Sequence, residues 1–363
     1  MTTFASLGVP EVLAAALAKR GITVPTEIQT ALIPAAYAGE NLIGEAPTGT
    51  GKTLAYLLPL LTRIDPSLRS VQALILAPTH ELAMQIADVA RETAQAAELP
   101  IRVQALIGGA NIKRQIEALK KKPAVIAGSA ARMLELHRLG KLKLMSVKLL
   151  VLDEFDRLLS KQHADDVRGV IRLLPPERQA LLLSATAGAA AVRAAQGLFA
   201  PRHIRAEAQQ NTYENYYHIV SFRDKIRAVQ KLTRRLPIRR GLVFVGRGFD
   251  AAHAVDKLRY EGIKAVALLG QERRAALDAF RAGRAELLIA TDLAARGLDI
   301  EDVDYVVQLD LPEDVRTYRH RAGRTARAGK AGAVISLTDE KEIDKLKALA
   351  VRMEMDLRRL PRG

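Results

Sequence analysis

Short apolar runs alternate along the chain with longer segments whose apolar residues recur at helical spacing. In the first half of the chain these runs lie at 41–44, 73–77, 103–107, 124–127, 149–152 and 181–183. In the second half they lie at 242–245, 265–269, 287–290, 305–309 and 333–337. The segments between them have amphipathic patterns, as from Leu82 to Ala97. Buried strands that alternate with helices are typical of a parallel sheet covered on both faces, so the predicted fold class is α/β.

This alternation is interrupted by one polar stretch, which reads Ala-Glu-Ala-Gln-Gln-Asn-Thr over 206–212. A chain of 363 residues is natural for two domains, each large enough to bury its own core. We therefore predict an N-terminal domain over 1–205, a linker over 206–213 and a C-terminal domain over 214–363. In open α/β sheets ligands bind beyond the carboxyl ends of the strands, so we expect the functional site there, in the cleft between the domains.

Composition adds a preference for polyanionic partners. The chain has 55 Lys and Arg against 40 Asp and Glu, a net charge of +15. This surplus favours nucleic acid, although a uniformly basic surface would give the same value. The absence of Cys excludes disulfides and thiolate metal sites and fits a reducing compartment. No apolar run has membrane length, and the charges around the first apolar stretch do not suit a signal peptide, so we expect a soluble, cytoplasmic protein with a monomeric core.

The clearest chemical signal is a glycine-rich loop between a predicted strand and a predicted helix. Ala46 to Thr53 read Ala-Pro-Thr-Gly-Thr-Gly-Lys-Thr. In such a loop the backbone N–H groups turn inward and the helix N-terminus adds its positive dipole end, which together cradle phosphates. Lys52 would reach the terminal phosphates and the Thr53 hydroxyl would hold Mg²⁺. The alternative is a chance turn before a helix, which a matching acidic partner would disfavour.

That acidic partner follows the predicted strand at 149–152, where the chain reads Asp-Glu-Phe-Asp. A buried strand that ends in two carboxylates needs a cation or a catalytic role. Asp153 would hold Mg²⁺ through water, and Glu154 would orient or deprotonate an attacking water. A strand capped by a surface acidic pair is the structural alternative. Ser184 and Thr186 follow another predicted strand on the same side, although alone they would indicate only a helix N-cap.

Two further features fit a nucleotide site. The amide of Gln29 has a donor and an acceptor that match adenine N6 and N7, although an isolated glutamine at the start of a helix is usually a surface residue. Arg321, Arg324 and Arg327 recur at i, i+3 and i+6, so we expect them to share one face of a helix or turn. Such a cluster is usually a solvated basic face, but across a cleft from a triphosphate it can stabilise charge on the transferring phosphoryl group.

Taken in order along the chain, these motifs resemble those of the DEAD-box RNA helicases of helicase superfamily 2, with Asp-Glu-Phe-Asp in place of Asp-Glu-Ala-Asp. The resemblance runs from Phe4 to about Gly329. It implies two RecA-like domains, each a mostly parallel sheet with helices on both faces, joined by a short linker. It also implies that the domains close on ATP, Mg²⁺ and single-stranded RNA and open short duplexes locally.

The same resemblance implies roles for individual residues. ATP would be bound by Phe4, Gln29, Thr48, Gly49, Thr50, Gly51, Lys52, Thr53, Gly297 and Asp299. Catalytic roles would fall to Lys52, Asp153, Glu154, Arg324 and Arg327, with the metal at Thr53 and Asp153. The ATP site would be coupled to domain closure by Asp156, Ser184, Thr186 and His320. RNA would be contacted by Pro78, Thr79, Glu81, Gly108, Gly109, Arg132, Arg247, Arg273 and Thr291.

Two departures from the family pattern concern the ATP site. Phe155 stands where the family normally has Ala, and a bulky ring beside the metal site must find room or shift its neighbours. Ile22 stands where an aromatic residue usually packs near the adenine, which would weaken stacking. We therefore expect modest ATP affinity and weakened communication between the ATP site and domain closure.

The other departures fall on loops that would hold RNA. His80 replaces an Arg, and residues 129–132 read Ser-Ala-Ala-Arg where Thr-Pro-Gly-Arg is usual. Residues 246–248 read Gly-Arg-Gly, and the segment at 269–274 is shortened, so that either Gln271 with Arg274 or Arg273 alone matches the family. We favour an ATP-dependent RNA helicase or RNA-remodelling ATPase. An RNA-binding clamp or chaperone with weak ATPase and lost unwinding is the second hypothesis, and a DNA translocase of the same superfamily is the third.

Overall fold

A computed structural model of the chain describes residues 2–47, 49–206, 213–246, 250–295, 300, 303–326 and 331–361, with only the backbone at 271, 293 and 316. The chain divides into two compact units, Met1–Ala208 and Gln209–Gly363, called here the first and the second unit. No helix in the described part of the chain combines the length and apolar character that crossing a membrane requires.

The first unit is an α/β unit that begins with a 3₁₀ turn at Ala5–Leu7. Its strands are β1 (Leu42–Glu45), β2 (Ala73–Leu76), β3 (Val103–Leu106), β4 (Val125–Gly128), β5 (Leu149–Asp153), β6 (Gln179–Ser184) and β7 (Arg202–Arg205). Its helices are α1 (Glu11–Lys19), α2 (Glu27–Tyr37), α3 (Lys52–Arg63), α4 (His80–Ala96), α5 (Ile112–Leu119), α6 (Ala130–Arg138), α7 (Phe155–Leu158), α8 (Ala164–Arg172) and α9 (Ala189–Phe199).

The seven described strands form one parallel sheet in the order β3-β4-β2-β5-β6-β1-β7. Successive strand residues point to opposite faces, and each face has its own hydrophobic cluster. Leu42 and Ile75 belong to one cluster, whereas their neighbours Ile43 and Leu74 belong to the other. Because both faces are covered, inner strands such as β2 and β4 are apolar along their whole length instead of alternating with polar residues.

The second unit repeats this architecture. Its strands are β8 (Tyr213–Ile219), β9 (Gly241–Phe244), β10 (Ala265–Ala267), β11 (Leu287–Ala290), β12 (Tyr305–Gln308), β13 (Gly332–Thr338) and β14 (Leu357–Arg359). Its helices are α10 (Lys225–Arg235), α11 (Ala251–Tyr260), α12 (Arg273–Arg281), α13 (Asp292–Ala295), α14 (Val315–Ala322) and α15 (Ile343–Arg352), with 3₁₀ turns at Phe222–Asp224 and Gly270–Glu272. Its described strands form a parallel sheet in the order β10-β11-β9-β12-β13-β8-β14.

All eleven predicted strands are present, with bounds that differ by at most two residues from the apolar runs. Three further strands were not predicted, namely β7, β8 and β14. β7 reads Arg-His-Ile-Arg and β8 reads Tyr-Glu-Asn-Tyr-Tyr-His-Ile, so neither has the continuous apolar character of a buried strand. β8 begins at Tyr213, the last residue of the predicted linker. These strands lie at or next to a sheet edge, where polar side chains remain partly exposed.

Candidate functional site

The loop between β1 and α3 is shaped by two glycines. Gly49 and Gly51 have φ of +83° and +80°, the left-handed region that glycine adopts without steric cost. A Cβ on Gly51 would also collide with the side-chain amide of Gln29 on α2. The loop therefore closes tightly against α2 and leads directly into the first turn of α3. The N–H groups of a first helical turn have no partner within the helix and attract anions.

Lys52 places its positive charge over this loop. Its ammonium group donates hydrogen bonds to the carbonyl oxygens of Ala46 and Pro47, at 2.6 and 2.7 Å. The Thr50 hydroxyl donates to the same Pro47 carbonyl, at 2.7 Å. A lysine has a flexible stem and three donors, so the ammonium group can exchange these carbonyls for the oxygens of a bound phosphate.

Asp153, the last residue of β5, is buried beside the start of α3. One carboxylate oxygen, Oδ2, accepts a hydrogen bond from the Tyr56 hydroxyl at 2.9 Å, and Oδ1 accepts one from the Glu154 N–H at 3.0 Å. Burial, together with the nearby charge of Glu154, raises the pKa of Asp153 to about 6, while Lys52 and the two hydrogen bonds act in the opposite direction. The carboxylate is thus oriented by the protein and would gain from a cation.

The Tyr56 hydroxyl connects the two predicted metal ligands. Burial and the Asp153 charge raise the pKa of Tyr56 well above its ordinary value, and a hydrogen bond with Thr53 lowers this pKa in part. Tyr56 is on α3, one turn after Lys52, and its side chain is completely buried. The structure therefore brings Thr53 and Asp153 to the same hydroxyl group.

Glu154 stands at the turn from β5 to α7. Its φ of +53° and ψ of +50° are left-handed, a conformation that residues other than glycine adopt infrequently. Its Oε2 accepts a hydrogen bond from Nη1 of Arg157 at 3.0 Å. Both side chains remain partly exposed, at 26% for Glu154 and 21% for Arg157. The Glu154 carboxylate is therefore accessible and is held by an arginine that the sequence analysis did not single out.

The Phe155 side chain is accommodated within the hydrophobic core. It is 0% exposed and belongs to the hydrophobic cluster that contains Leu152 and Leu158. The ring is thus a core residue, directed into the cluster together with the apolar positions of β5 and α7. Asp156 follows on α7 and is half-buried.

A second polar turn, formed by Ser184 and Thr186 at the end of β6, lies beside the phosphate loop. The Ser184 hydroxyl donates to the Thr186 carbonyl at 2.9 Å and accepts from the Thr186 N–H at 3.2 Å. The Ser184 carbonyl in turn accepts a hydrogen bond from the N–H of Ala46, at 3.1 Å. β5, β6 and β1 are neighbours in the sheet, so their carboxyl ends bring together the acidic residues, this turn and the loop.

The two residues predicted at the adenine are buried. Gln29 is 2% exposed, its Oε1 accepts from the Thr26 N–H at 2.9 Å, and its Nε2 donates to the Gly51 carbonyl at 3.1 Å. One donor hydrogen and one acceptor lone pair of the amide remain for a ligand, so adenine recognition stays a prediction. Phe4 is 3% exposed and packs within the hydrophobic cluster, with Ile22 against the same cluster.

Predicted RNA contacts follow β2, β3 and β4, which occupy the other half of the same sheet edge. Thr79 is the N-cap of α4, and its hydroxyl accepts a hydrogen bond from the first turn at 3.2 Å. Pro78 and Glu81 are half-buried beside it. A Cβ on Gly108 would lie 3.0 Å from the His80 ring, so the imidazole stands directly against that glycine.

Arg132, also predicted to contact RNA, is mostly buried on α6. It is 8% exposed, its Nη2 donates to the Ala110 carbonyl at 3.3 Å, and its Nε lies 3.1 Å from the Glu135 carboxylate. Gly109, with φ of +69°, precedes Ala110. The Arg132 side chain therefore supports this turn, and little of it is accessible to a phosphate in this conformation.

In the second unit, two predicted RNA contacts meet at α13. The Thr291 hydroxyl accepts a hydrogen bond from the Ala294 N–H at 3.2 Å. The Arg273 guanidinium donates to the Ala294 carbonyl at 2.5 Å. The structure thus brings Thr291 and Arg273 together at the carboxyl end of β11.

Two arginines of the predicted cluster, Arg321 and Arg324, lie within the described residues. α14 ends at Ala322, so Arg321 is on the helix, whereas the half-buried Arg324 follows it. Arg321 is 3% exposed and makes paired hydrogen bonds to the Asp292 carboxylate at 2.7 and 2.6 Å. It also donates to the Gln308 side chain at 3.1 Å. Arg321 is therefore a buried ion-pair residue that ties α14 to α13. His320 is half-buried on α14.

Some predicted site residues lie outside the part of the chain that the structure describes, namely Thr48, Arg247, Gly297, Asp299 and Arg327. The sequence analysis missed Tyr56 and Arg157. A signal for Tyr56 was present, because a tyrosine within an otherwise apolar helical segment needs a partner for its hydroxyl group. Arg157 lies one helical turn after Glu154, a spacing at which opposite charges meet.

The chain is similar to known proteins over most of its length. The DEAD/DEAH box helicase family matches residues 26–194, and the helicase conserved C-terminal domain matches residues 224–329. The DEAD-box ATP-dependent RNA helicase CshC of Bacillus cereus is 43% identical over 343 residues, covering 92% of this chain and 87% of that protein. The ATP-dependent RNA helicase CshA of Listeria monocytogenes is 37% identical, covering 96% of this chain and 68% of that protein.

Solved structures agree with these sequence matches. Dbp5 of S. cerevisiae bound to RNA and ADP BeF3 has a TM-score of 0.85 at 31% identity, covering 99% of this chain and 96% of that one. A DEAD box protein from Methanococcus jannaschii has a TM-score of 0.64 at 30% identity, covering 99% of both chains. The predicted fold class is confirmed, since the two parallel sheets match two RecA-like domains. The chain belongs to the DEAD-box ATP-dependent RNA helicase family.

Proposed function

We propose that this protein is an RNA-stimulated ATPase that opens short RNA duplexes, an ATP-dependent RNA helicase. The observation that carries the proposal is the meeting of the Lys52 loop with the buried Asp153 and the accessible Glu154 at neighbouring strand ends. This arrangement suits a nucleoside triphosphate and its metal. RNA is proposed as the partner because the relatives named above are RNA helicases. A cytoplasmic location is part of the same proposal, because ATP and RNA are both present there.

The donor atoms present fit Mg²⁺. Thr53 and Asp153 offer hydroxyl and carboxylate oxygens, the ligands that this ion prefers, and Asp153 has a raised pKa that a cation would lower. Among the described residues no cluster of three His, Asp or Glu side chains forms a metal site by itself. This agrees with an ion held by one carboxylate, water and substrate phosphates, where it would neutralise charge on the transferring group.

Within this proposal the Asp-Glu-Phe-Asp sequence at 153–156 is a variant of the family's acidic motif. Glu154 orients or deprotonates the attacking water, and its partner Arg157 holds the carboxylate in place. Lys52, Asp153 and Glu154 belong to the first unit, whereas Arg324 and Arg327 belong to the second. Neither unit has the complete set, so hydrolysis requires both units to close on ATP and RNA.

A second candidate function is an RNA clamp with weak ATPase and lost unwinding. Arg132 favours the loss of unwinding, because this predicted phosphate contact is 8% exposed and paired with Glu135. The loop that contains it lacks the Pro and Gly of the family pattern. A weaker hold on RNA would lower duplex opening before it lowered ATP binding.

Two assays on the same preparation, ATP hydrolysis and duplex opening, distinguish these functions. We expect ATP hydrolysis to rise when single-stranded RNA is added, to rise less with DNA of the same sequence, and a short RNA duplex to open with ATP. Stimulated hydrolysis without duplex opening would favour the clamp. Hydrolysis stimulated equally by DNA, or by neither nucleic acid, would contradict the proposal.

The variant Glu154→Gln tests the site itself. It keeps the size of the side chain and a hydrogen bond with Arg157 but removes the base. ATP binding should remain, and turnover should fall at least ~10²-fold, the scale of a lost general base. Glu117→Gln, which alters an exposed carboxylate of the same unit that pairs with Lys120 at the same i,i+3 spacing, is the matched control for ATP turnover. Near-normal turnover in Glu154→Gln would remove Glu154 from the mechanism.

A further inference from the structure

The positive charge of the second unit is concentrated around α10. Residues 223–240 contain eight Arg and Lys and one acidic residue, Asp224. Part of this charge has partners within the protein. Lys225 is buried and donates to the Leu309 carbonyl at 2.6 Å, and Arg234 pairs with Glu261 at 3.2 Å.

Three exposed cations of α10 line one groove. Arg227, Lys231 and Arg235 are spaced at i, i+4 and i+8, so they form a single row along the helix. The groove has a volume of about 540 Å³ and an apolar floor that includes Leu232 and Leu360. Within the described part of the chain, none of the three cations is engaged in an ion pair or a side-chain hydrogen bond.

The remaining polar groups of the groove do not neutralise this row. Asp224 is the acidic residue at its rim, and its carboxylate accepts a hydrogen bond from the Ser221 hydroxyl at 2.7 Å. His218 lines the same groove near the carboxyl end of β8. Three cations against one carboxylate leave the groove positive, so its ligand should be anionic.

The spacing of the cations favours a nucleic-acid strand. Residues four apart on a helix rise by about 6 Å, which is close to the separation of successive phosphates along an extended strand. A polymer with one charge at each regular repeat can meet all three cations together, whereas the carboxylates of an acidic peptide have no such repeat. Arg and Lys are also the residues that contact phosphates in nucleic-acid complexes.

The groove lies along the same sheet edge as the predicted RNA contacts. It is formed at the carboxyl ends of β8 and β14, which are the last two strands of the sheet. β9 and β11, which precede Gly246 and Thr291, are three and four strands away from β8. At the usual strand spacing this is about 15–20 Å, a few nucleotides of extended strand.

We propose that the α10 groove, formed by Arg227, Lys231 and Arg235, is a second RNA-backbone site for the part of a strand that extends beyond the catalytic core. The proposal rests on the proposed RNA-dependent function. The site would hold a long RNA while the core releases and rebinds its segment.

The test uses the full chain with Arg227→Gln, Lys231→Gln and Arg235→Gln combined. Binding of a long and a short single strand is measured by fluorescence anisotropy over a range of salt. For the long strand, the slope of log affinity against log salt should fall by about 2, from three contacts at ~0.7 each. When salt is raised from about 50 to about 200 mM, the fold-loss of long-strand affinity should therefore be roughly 20 times smaller in the variant than in the unmodified protein. Binding of the short strand and the ATP hydrolysis that it stimulates should be unchanged.

A control variant removes the same charge elsewhere. Lys141→Gln, Lys143→Gln and Lys148→Gln change three exposed lysines that precede β5, at the opposite end of the strands from the candidate site. An equal loss of salt dependence in this control, or none in the α10 variant, would overturn the proposal. An unchanged α10 variant would leave an acidic peptide as the ligand to test next. No RNA binding by the unmodified protein would instead contradict the proposed function.

Tyr56 carries a second, independent inference. Its side chain is completely buried, and its hydroxyl donates to Oδ2 of Asp153 at 2.9 Å while the Glu154 N–H occupies Oδ1. Two donors on different oxygens fix the plane of the carboxylate. Groups that hold a metal ligand from behind determine its orientation. We infer that Tyr56 is a positioning residue, which orients Asp153 for Mg²⁺ within the proposed ATP site.

Calorimetric binding of ADP, with and without Mg²⁺, tests this role without any measurement of turnover. Tyr56→Phe removes the hydroxyl and keeps the ring, so the core stays filled. The gain in ADP affinity on adding Mg²⁺ should shrink by about 10–100-fold, whereas affinity without Mg²⁺ should be unchanged.

Tyr37→Phe is the matched control, because it removes another hydroxyl of the first unit, one that lies 3.0 Å from the Thr62 hydroxyl. It should leave the Mg²⁺ dependence unchanged. The same Mg²⁺ gain in Tyr56→Phe as in the unmodified protein, or an equal loss of affinity with and without Mg²⁺, would refute the positioning role. If the unmodified protein gained nothing from Mg²⁺, the proposed metal site itself would be wrong.

Discussion

At the scale of single residues, the candidate site depends on carboxyl groups in different environments. Asp153 is 6% exposed and has its oxygens held by Tyr56 and by the backbone. Glu154, the next residue, is 26% exposed and is paired with an arginine. The two environments therefore indicate different roles. A buried, oriented carboxylate is suited to binding a cation, and an accessible carboxylate is suited to activating water.

The buried carboxyl group makes stability depend on pH. The pKa of Asp153 rises from 3.8 to about 6 on folding, so its contribution to stability is complete below pH 4 and is lost as pH rises through 6. Without nucleotide and Mg²⁺, Asp153→Asn should therefore raise the melting temperature more at about pH 8 than at about pH 5. The difference should correspond to about 1–3 kcal/mol.

Asp65→Asn is the control for this measurement. Hydrogen bonds from Ser67 lower the pKa of Asp65, which is fully exposed, so the shift has the opposite sign. The control should give no added stability at the higher pH. Equal shifts of the melting temperature for Asp153→Asn at both pH values would show that this carboxyl group titrates normally.

Phe155 gives a prediction about stability, while the weakened communication expected from the sequence stays a prediction. The ring is 0% exposed in the core, so Phe155→Ala should destabilise the first unit by about 3–5 kcal/mol through the cavity that it leaves. Urea unfolding measures the loss, and Phe155→Leu should recover a large part of it. A fully stable Phe155→Ala protein would contradict the packing described here.

At the scale of elements, the candidate site forms where neighbouring parallel strands end. β5, β6 and β1 end in the acidic residues, the Ser184–Thr186 turn and the phosphate loop, while β2, β4 and β3 end in the predicted RNA contacts. Both groups lie along one edge because the carboxyl ends of parallel strands point the same way. α2 adds the support of the loop through Gln29.

Gln29→Ala tests whether this support is combined with recognition of the base. The amide holds the Gly51 carbonyl, so its removal should weaken binding of any nucleoside triphosphate. If the remaining donor and acceptor also contact adenine, ATP affinity should fall more than GTP affinity, because guanine presents two acceptors at N7 and O6. Equilibrium binding of both nucleotides measures the two effects. An equal loss for ATP and GTP would restrict Gln29 to the loop.

At the scale of the whole molecule, the proposed mechanism requires both units. The phosphate loop and the acidic residues belong to the first unit, and the predicted arginine fingers belong to the second. Ligands that bind better to a closed form shift the population toward it, and two such ligands tighten each other's binding. ATP and RNA should therefore act together.

Labels on Lys161 of the first unit and Lys257 of the second, each after substitution by Cys, report the distance between the units. Because the chain has no other Cys, labels attach only at these two introduced positions. We expect the distance distribution to shift most when an ATP analogue and RNA are both present. Arg327→Ala should keep ATP binding but lose RNA-stimulated hydrolysis. An unchanged distribution with either ligand, both or neither would rule out closure.

Much of the architecture follows from the sequence. A covered parallel strand is mostly apolar, so the eleven apolar strands were recognisable. So was the glycine loop, whose backbone conformation only glycine adopts easily. The acidic residues at 153–156 were also recognisable, since charges directly after a buried strand need a reason. Strands β7, β8 and β14 were not, because a partly exposed strand carries polar residues and resembles a loop.

Tertiary structure alone decided which side chains meet. Tyr56 and Asp153 are 97 residues apart in the chain, and no local pattern reveals that β5 ends beside α3. The same holds for Arg321, because its sequence spacing gives no sign of the buried ion pair that it forms with Asp292. Sequence periodicity determines which face of an element is buried, because burial depends on local spacing. Partners across the sheet depend on strand order, which is a property of the folded chain.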